Sequence, residues 1–236
     1  MGHRMVDYQE TSPVVRHETI RMLLAIAVEL DLEVSHLDVP TAFLHGKLEA
    51  VFMEAPKGIV IEGETDLMES AWLLNKALYG LKKSSRTGYK KADDLLTEFD
   101  FGILKLEPCV YSLKQDSSLV YNALYVDDFL LFCNDQALKG EVIAGLKAAF
   151  KIKDLGAIKH CLGLNFHRSE NCEMFVDLKE YLNTILEMFG MSDCKPVQTP
   201  LDCNVLLPDL DSDFETANVP YRSLTGSLMY LSLIHI

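Results

Sequence analysis

Two adjacent aspartates, Asp127 and Asp128, are the residues whose types and spacing most directly suggest chemistry in this sequence. The apolar run 120–124 leads into the segment Tyr125-Val126-Asp127-Asp128, and a second apolar run, 129–133, follows at once. Two strand-like runs with so short a polar junction predict a tight β-hairpin with both carboxylates at its tip. Neighbouring negative charges repel each other and resist burial, so we expect the two aspartates to bind a cation. Mg²⁺ is the hard cation that carboxylate oxygens suit best, with Mn²⁺ as a substitute.

A third acidic side chain, that of Asp38, stands at the end of another predicted strand, residues 33–39. Nucleotidyl-transfer sites use carboxylates from separate strands to hold two metal ions about 3.5–4 Å apart. One ion lowers the pKa of the attacking hydroxyl and the other stabilises the leaving pyrophosphate, so the protein contributes positioning and charge neutralisation. A strand-end aspartate and an Asp-Asp hairpin fit this arrangement. Asp38, Asp127 and Asp128 are therefore the predicted catalytic residues and metal ligands.

The elements that must position these carboxylates are helices and short strands that follow one another along the chain. The helical spacing of apolar residues predicts helices over 15–30, 83–99, 137–150, 179–189 and 221–233. Short apolar or alternating runs predict strands over 33–39, 51–53, 72–74, 109–113, 162–168 and 174–177, and two more within 120–133. This order predicts an α+β fold in which a mostly antiparallel sheet carries helices on one side.

The composition indicates a chain with a substantial core. It has 236 residues, of which 49% are hydrophobic, enough for one sizeable domain or two small ones. No stretch approaches the roughly 18 consecutive apolar residues that span a bilayer, and the N-terminus lacks the apolar segment of a signal peptide. We expect a soluble, cytoplasmic protein with no membrane partner. The six cysteines form no Cys-x-x-Cys pair, which favours reduced core thiols over disulfides or zinc ligands.

The net charge of −13 argues against tight binding to nucleic acid, because a phosphate backbone is normally held by lysine and arginine. Basic residues nevertheless cluster in one segment, at Lys76, Lys82, Lys83, Arg86, Lys90 and Lys91. Two interpretations of this cluster stay open: a solvated helix face, or a contact with a nucleic-acid template.

Seven short blocks along the chain carry a family resemblance. They are Leu37-Asp38-Val39 with Thr41-Ala42-Phe43-Leu44 and Gly46, Lys76-Ala77-Leu78-Tyr79-Gly80-Leu81-Lys82, Tyr125-Val126-Asp127-Asp128, Lys153-Asp154-Leu155-Gly156, Leu162-Gly163, Phe189-Gly190-Met191, and Tyr221-Arg222-Ser223-Leu224 with Gly226-Ser227-Leu228-Met229-Tyr230. In this order, from about Asp7 to Leu231, they resemble the reverse transcriptases of copia-type retrotransposons. One Tyr-x-Asp-Asp segment alone is a weak signal, whereas seven blocks in the family's order are a specific one.

The resemblance implies a right-hand polymerase that transfers nucleotides to a primer 3′-hydroxyl by two-metal chemistry, an RNA-directed DNA polymerase. Its antiparallel palm sheet would carry the three aspartates, with fingers beside it and a partial helical thumb. The implied domains are residues 7–160, fingers and palm without the N-terminal part of the fingers, and 161–236, a primer-grip hairpin with a truncated thumb or connection. Asp38 and Asp127 would be the principal metal ligands, with Asp128 in support.

Further roles follow from the resemblance alone. The implied nucleotide-binding residues are Ala42, Phe43, Tyr125 and Val126. Phe43 would be a steric gate that crowds the 2′-hydroxyl, the atom that distinguishes ribonucleotides from deoxynucleotides. The implied template and primer contacts are Tyr79, Gly80, Lys82, Arg86, Leu162 and Gly163.

The implied partners are an RNA or DNA template-primer and deoxynucleoside triphosphates. The RNase H, integrase and protease parts of the parent Pol polyprotein are expected to be absent from this chain. The expected location is the cytoplasm, in the virus-like particle of an intact element.

Several positions depart from the family's pattern. Pro40 stands where the family usually has lysine, and Gly88 stands where it has tryptophan. A basic segment that the family carries upstream of Asp7 is expected to be missing. Two hypotheses therefore stay open: an active polymerase domain, or a truncated retroelement remnant that keeps the fold without activity. An unrelated acidic metal-binding protein is rejected, because the blocks would have to match by accident.

Overall fold

The computed structural model of the protein describes residues 12–40, 51–54, 56, 71–169, 171, 173–199, 201 and 220–234. The helices are α1 (His17–Glu29), α2 (Lys82–Glu98), α3 (Gln136–Ala149), α4 (Lys179–Met188) and α5 (Tyr221–Ile234). The strands are β1 (Glu33–Asp38), β2 (Val51–Glu54), β3 (Ala71–Leu74), β4 (Gly102–Leu104), β5 (Glu107–Gln115), β6 (Ser118–Tyr125), β7 (Asp128–Cys133), β8 (Lys153–Ala157), β9 (His160–Cys161), β10 (Leu164–Arg168) and β11 (Met174–Asp177). The predicted α+β class is confirmed.

The largest sheet has six strands in the order β4-β5-β6-β7-β1-β8, and every neighbouring pair is antiparallel. Strands β6 and β7 form the hairpin that the sequence predicts, and β1 pairs with the outer side of β7. The middle strands are rich in buried apolar side chains, as in the run Phe129 to Cys133, so the centre of this sheet lies in the core. The register of β1 on β7 runs from Glu33 opposite Cys133 to Asp38 opposite Asp128. This register brings two of the predicted catalytic residues face to face.

The helices form where the apolar periodicity predicts them. In α1 the buried stripe consists of Ile20, Leu23, Leu24 and Ala27. Asp135 caps the N-terminus of helix α3, and its carboxylate accepts hydrogen bonds from two of the first backbone N–H groups at 2.8 and 3.2 Å. A Cβ atom added to Gly145 of α3 would lie 2.1 Å from the ring of Phe99, the residue that ends α2. The Phe99 ring at the end of α2 therefore contacts α3 at Gly145.

The chain divides into two compact units, Met1–Ile158 with Arg168–Met174, and Lys159–His167 with Phe175–Ile236. Within the second unit, the ring of Tyr181 in α4 meets the ring of Tyr230 in α5 edge to face at 5.0 Å. The hydroxyl of Tyr181 also donates to the carbonyl oxygen of Ser227 at 3.3 Å. The two helices of this unit are joined by aromatic contacts. None of the helices described in this chain is long and apolar enough to cross a bilayer.

The structure adds three strands that the sequence did not predict, β4, β8 and β9. Strand β4 is three residues long, β9 is two residues long, and β8 has five exposed residues with no apolar pattern, so none gives a recognisable signal. The tip of the hairpin also differs in detail from the prediction. Its loop consists of Val126 and Asp127, whereas Asp128 is already the first residue of β7 and pairs with Tyr125. The two carboxylates therefore occupy different backbone environments.

Candidate active site

The loop at the tip of the β6–β7 hairpin has two residues, the shortest connection that antiparallel strands allow. Val126 has a φ of +54°, while Asp127 is not among the residues with positive φ. A positive φ at the first of two loop residues alone is typical of a type II′ turn, in which glycine usually takes that position. A β-branched residue there is strained, and such strain often accompanies a functional constraint. The turn fixes where Asp127 stands.

The hairpin loop is also joined to the end of β1. The backbone N–H of Val39 donates to the carbonyl oxygen of Asp127 at 2.9 Å, one residue beyond the pairing of Asp38 with Asp128. Val39 itself is buried, so this connection is protected from water. Residues that face each other across antiparallel strands point to the same side of the sheet. Asp38 and Asp128 therefore share one face, with Asp127 at its edge.

The two carboxylate oxygens of Asp127 differ in their hydrogen bonding. Its Oδ2 accepts a hydrogen bond of 3.0 Å from the hydroxyl of Tyr79, whereas its Oδ1 is buried and meets no partner among the described residues. Burial raises the pKa of the Asp127 carboxyl, and the nearby negative charges of Asp128 and Asp38 raise it further against the opposing effect of the Tyr79 bond. A buried carboxylate oxygen without a hydrogen-bond donor destabilises the folded state unless a ligand binds to it.

Tyr79 is placed by the turn that precedes α2. Gly80 follows it with a φ of +92°, a conformation that side-chain-bearing residues rarely adopt, and the N–H of Leu81 donates to the carbonyl oxygen of Leu78 at 3.3 Å. Burial raises the pKa of the Tyr79 hydroxyl, and the bond to the negative Asp127 raises it further, so the hydroxyl keeps its proton and donates. The predicted template residue Tyr79 thus contacts the predicted metal ligand Asp127.

Asp128 is bound by a residue that the sequence analysis missed. The Nε2 atom of His36 lies 2.6 Å from Oδ1 of Asp128, and His36 is only 7% exposed. His36 stands two residues before Asp38 on β1, and side chains two apart along a strand share a face. That spacing was the available signal, but the pairing with Asp128 requires knowledge of the β1–β7 register.

The donor set suits a divalent cation. Among the described residues, no lysine or arginine nitrogen lies within ion-pair distance of Asp38, Asp127 or Asp128. Lys153 of β8 stands opposite Asp38 in the register without forming such a pair. Carboxylate oxygens are the ligands that Mg²⁺ prefers, and the unpartnered Oδ1 of Asp127 is free to bind one. The three carboxylates do not, however, form a set whose oxygens all lie within 4.8 Å of one another.

The other predicted site residues fall into three groups. Ala42 and Phe43 lie outside the described residues, as does the side chain of Lys82. Tyr125, at the end of β6, lies beside the site because it pairs with Asp128, and Arg86 is exposed on α2. The roles proposed for these residues stay predictions.

Leu162 and Gly163 form the turn between β9 and β10 in the second unit. Both have positive φ, +54° and +74°, and the carbonyl oxygen of Leu162 accepts a hydrogen bond of 3.1 Å from the Tyr230 hydroxyl. A Cβ atom on Gly163 would lie 3.0 Å from the same hydroxyl, so glycine is favoured there by space as well as by backbone conformation. Their predicted contact with a primer stays a prediction.

Comparison with known proteins identifies the family of this chain. The family described as reverse transcriptase (RNA-dependent DNA polymerase) matches residues 3–203. The chain is 37% identical to the retrovirus-related Pol polyprotein from transposon TNT 1-94 of Nicotiana tabacum, over 95% of this chain and 18% of that protein. It is 32% identical to the corresponding polyprotein from transposon RE1 of Arabidopsis thaliana, over 96% of this chain and 15% of that protein.

A shorter relative is the putative transposon Ty5-1 protein of Saccharomyces cerevisiae, 29% identical over 82% of this chain and 62% of that protein. The chain thus spans less than a fifth of the two Pol polyproteins. No solved structure matches it. The match of the reverse transcriptase family over most of the chain, together with these Pol polyprotein relatives, shows that the protein belongs to the reverse transcriptase family of copia-type retrotransposons.

Proposed function

We propose that the protein is an RNA-directed DNA polymerase that adds deoxynucleotides to a primer 3′-hydroxyl by two-metal nucleotidyl transfer. The observation that carries the proposal is the end of the β1–β7 pair, where three carboxylates gather without a lysine or arginine partner among the described residues. An uncompensated acidic cluster costs stability, and a site that binds cations is the physical reason to keep one.

Within this proposal, Asp38 and Asp127 are the principal Mg²⁺ ligands and Asp128 supports them. Bound Mg²⁺ supplies a lowered pKa at the primer hydroxyl and charge neutralisation at the leaving pyrophosphate. The chain's own contribution is to hold the carboxylates before substrate arrives. The two-residue turn and the Val39 bond fix the backbone of Asp127, and the Tyr79 hydroxyl orients one of its oxygens. The buried Oδ1 is thereby left available.

The arrangement of the fold supports assigning parts of a right-hand polymerase. The six-stranded sheet is the proposed palm, the β2–β3 pair belongs to the proposed fingers, and helices α4 and α5 of the second unit are the proposed partial thumb. Phe43 is the proposed steric gate, and Leu162 with Gly163 is the proposed primer grip. The proposed partners are a template-primer and deoxynucleoside triphosphates, and the proposed setting is the cytoplasmic virus-like particle of an intact element.

Primer extension tests the proposal. The purified chain is given a DNA primer on an RNA template, deoxynucleoside triphosphates and Mg²⁺, with Mn²⁺ and a DNA template in parallel reactions. We expect extension that disappears in Asp127→Asn and persists in Glu33→Gln, a matched carboxylate-to-amide change at the opposite end of the same strand pair.

The contrary result is equally informative. Wild-type protein that unfolds cooperatively on heating, and is therefore folded, but extends no primer with either metal would contradict the proposal. It would favour the alternative hypothesis of an inactive retroelement remnant.

A further inference from the structure

We infer that His36 is a positioning residue for Asp128, holding one carboxylate oxygen so that the other is presented to the cation site. The inference rests on the proposed function, because it assigns a task within that same site. It names a residue outside the seven blocks that carry the family resemblance, and it follows from the strand register and one short hydrogen bond.

The geometry places His36 where it can act on Asp128. His36 stands opposite Leu130 in the register and Asp38 stands opposite Asp128, so the imidazole reaches the carboxylate diagonally across one step of the sheet. The Nε2 to Oδ1 separation of 2.6 Å is short, as expected when a carboxylate accepts the bond. An ionised carboxylate can only accept hydrogen bonds, so in this pair the imidazole donates from Nε2.

Burial makes this contact rigid. The side chain of His36 is 8% exposed and that of Asp128 is 25% exposed, and the strand neighbours Ser35 and Leu37 are buried as well. A buried imidazole cannot turn away into water without losing its partner, so the orientation of the Asp128 carboxylate is fixed before any metal binds. Outer residues that orient metal ligands in this way commonly change metal affinity by roughly 10- to 100-fold when they are removed.

The two adjacent aspartates are oriented by different means. Asp127 receives a bond from Tyr79, whose side chain is more than half exposed, whereas Asp128 receives one from the buried His36. In each carboxylate one oxygen is held by a side chain from another element, at 3.0 Å for Asp127 and 2.6 Å for Asp128. Because the two oxygens of a carboxylate are rigidly connected, holding one of them also fixes the direction of the other. His36 therefore orients the Asp128 carboxylate, which the backbone of the hairpin does not orient by itself.

Mg²⁺ titration of thermal stability tests the inference without substrates. The melting temperature of the full chain is followed against Mg²⁺ concentration for wild type, His36→Leu, His36→Gln, Asp128→Asn and the His36→Leu/Asp128→Asn double variant. We expect His36→Leu to raise the apparent Mg²⁺ dissociation constant, fitted from the rise in melting temperature, at least about tenfold. His36→Gln keeps an N–H donor and should remain within roughly threefold of wild type.

The double variant separates positioning from packing. If His36 acts through Asp128, the double variant needs no more Mg²⁺ than Asp128→Asn alone, because the two changes remove one and the same contribution. A merely structural imidazole would lower the metal-free melting temperature and leave the apparent Mg²⁺ dissociation constant unchanged, and that result would overturn the inference. Equal dissociation constants for His36→Gln and His36→Leu, both raised, would overturn it as well.

Failure of this inference and failure of the proposed function give different results. Wild-type protein that gains no stability from Mg²⁺ lacks the cation site, so both proposals would fall. Wild-type protein that gains stability, with His36→Leu gaining it at the same concentration, would remove the positioning role alone.

Discussion

The carboxylates at the two ends of the β1–β7 strand pair lie in opposite electrostatic environments. At one end, Glu33 accepts a bond of 2.6 Å from Lys139, and nearby Asp31 is bound at 2.6 Å by Arg168. The Lys139 bond, helped by one from Gln136, lowers the pKa of the Glu33 carboxyl. At the other end, burial and neighbouring carboxylates raise the pKa of Asp127.

The same contrast extends to the surroundings of the Glu33 end. A cavity of about 680 Å³ opens there, and Glu33 and Asp31 are among its lining residues. Both carboxylates have a basic partner, Lys139 for Glu33 and Arg168 for Asp31. At the Asp38 end, no lysine or arginine of the described residues forms an ion pair with the three aspartates, although Lys153 stands opposite Asp38 in the register. The proposed function gives a physical reason for this difference, since a cation site needs carboxylates without basic partners.

The largest expected effect compares two amide substitutions on one strand. Asp38→Asn removes a proposed metal ligand and should lower primer extension at least about a hundredfold, a typical loss for one electrostatic contributor to a transition state. Glu33→Gln, five positions earlier on β1, should leave the rate within about twofold, since surface changes away from a site are nearly neutral. Steady-state extension rates check both. Similar losses of extension rate in Asp38→Asn and Glu33→Gln would contradict the proposed difference between the two ends of the strand pair.

A smaller effect is expected from Tyr79→Phe, which removes the hydroxyl that orients Asp127. Hydrogen bonds to charged groups contribute about 1.5–3 kcal/mol, and the exposure of Tyr79 places the effect near the lower limit. We expect kcat/KM for deoxynucleotide incorporation to fall roughly tenfold, with the melting temperature almost unchanged. An unaltered kcat/KM would show that the turn alone positions Asp127.

Metal-free stability should respond in opposite directions at the two ends. Asp127→Asn removes a charge that burial opposes and should stabilise the protein by about 1 kcal/mol at neutral pH, a modest figure because water screens a partly exposed group. Glu33→Gln removes a favourable pair and should cost about 0.2–1 kcal/mol. Urea unfolding in the presence of a chelator measures both. Destabilisation by Asp127→Asn would contradict the account.

The changes in the free energy of unfolding caused by Asp127→Asn and by Glu33→Gln depend on pH with opposite signs. The folded-state pKa of Asp127 is raised, so its cost appears as pH rises above the ordinary value of 3.8 and through the folded value, and the gain in Asp127→Asn fades at lower pH. The folded-state pKa of Glu33 is lowered, so its contribution is complete above the ordinary value of 4.5 and is lost as pH falls through the folded value. Repeating the urea series at several acidic pH values checks both signs.

The smallest expected effect concerns the hairpin turn. Val126→Gly relieves the positive φ of a β-branched residue, but glycine also loses more conformational freedom on folding. The two terms leave a net gain of about 0.5 kcal/mol in the free energy of unfolding. Loss of stability would indicate that the Val126 side chain makes contacts that outweigh its backbone strain.

The sequence was sufficient for the parts of the site that local chemistry determines. Asp38, Asp127 and Asp128 stood out because acidic residues end or interrupt apolar runs, and the hairpin followed from the runs themselves. The α+β class followed from the same periodicities. Phe43 and Ala42 lie outside the described residues, so their predicted roles remain to be tested.

The contacts that tune the site depend on tertiary structure. Tyr79 and Asp127 are 48 residues apart, and His36 and Asp128 are 92 apart, so neither bond leaves a local pattern. Strand β8 was missed because its five residues are all exposed and join the sheet edge through the backbone. Register, which no single strand specifies by its own sequence, decided the bond between His36 and Asp128. The bond between Tyr79 and Asp127 depends instead on where the turn before α2 lies.

Calorimetric titration of the metal-free protein with Mg²⁺ tests the central claim most directly, namely that the Asp38 end of the strand pair is a cation site and the Glu33 end is not. The account predicts measurable binding by wild type, the same binding by Glu33→Gln, and none by Asp127→Asn at the same concentrations. Absence of binding by folded wild type, or equal binding by Asp127→Asn, would contradict it.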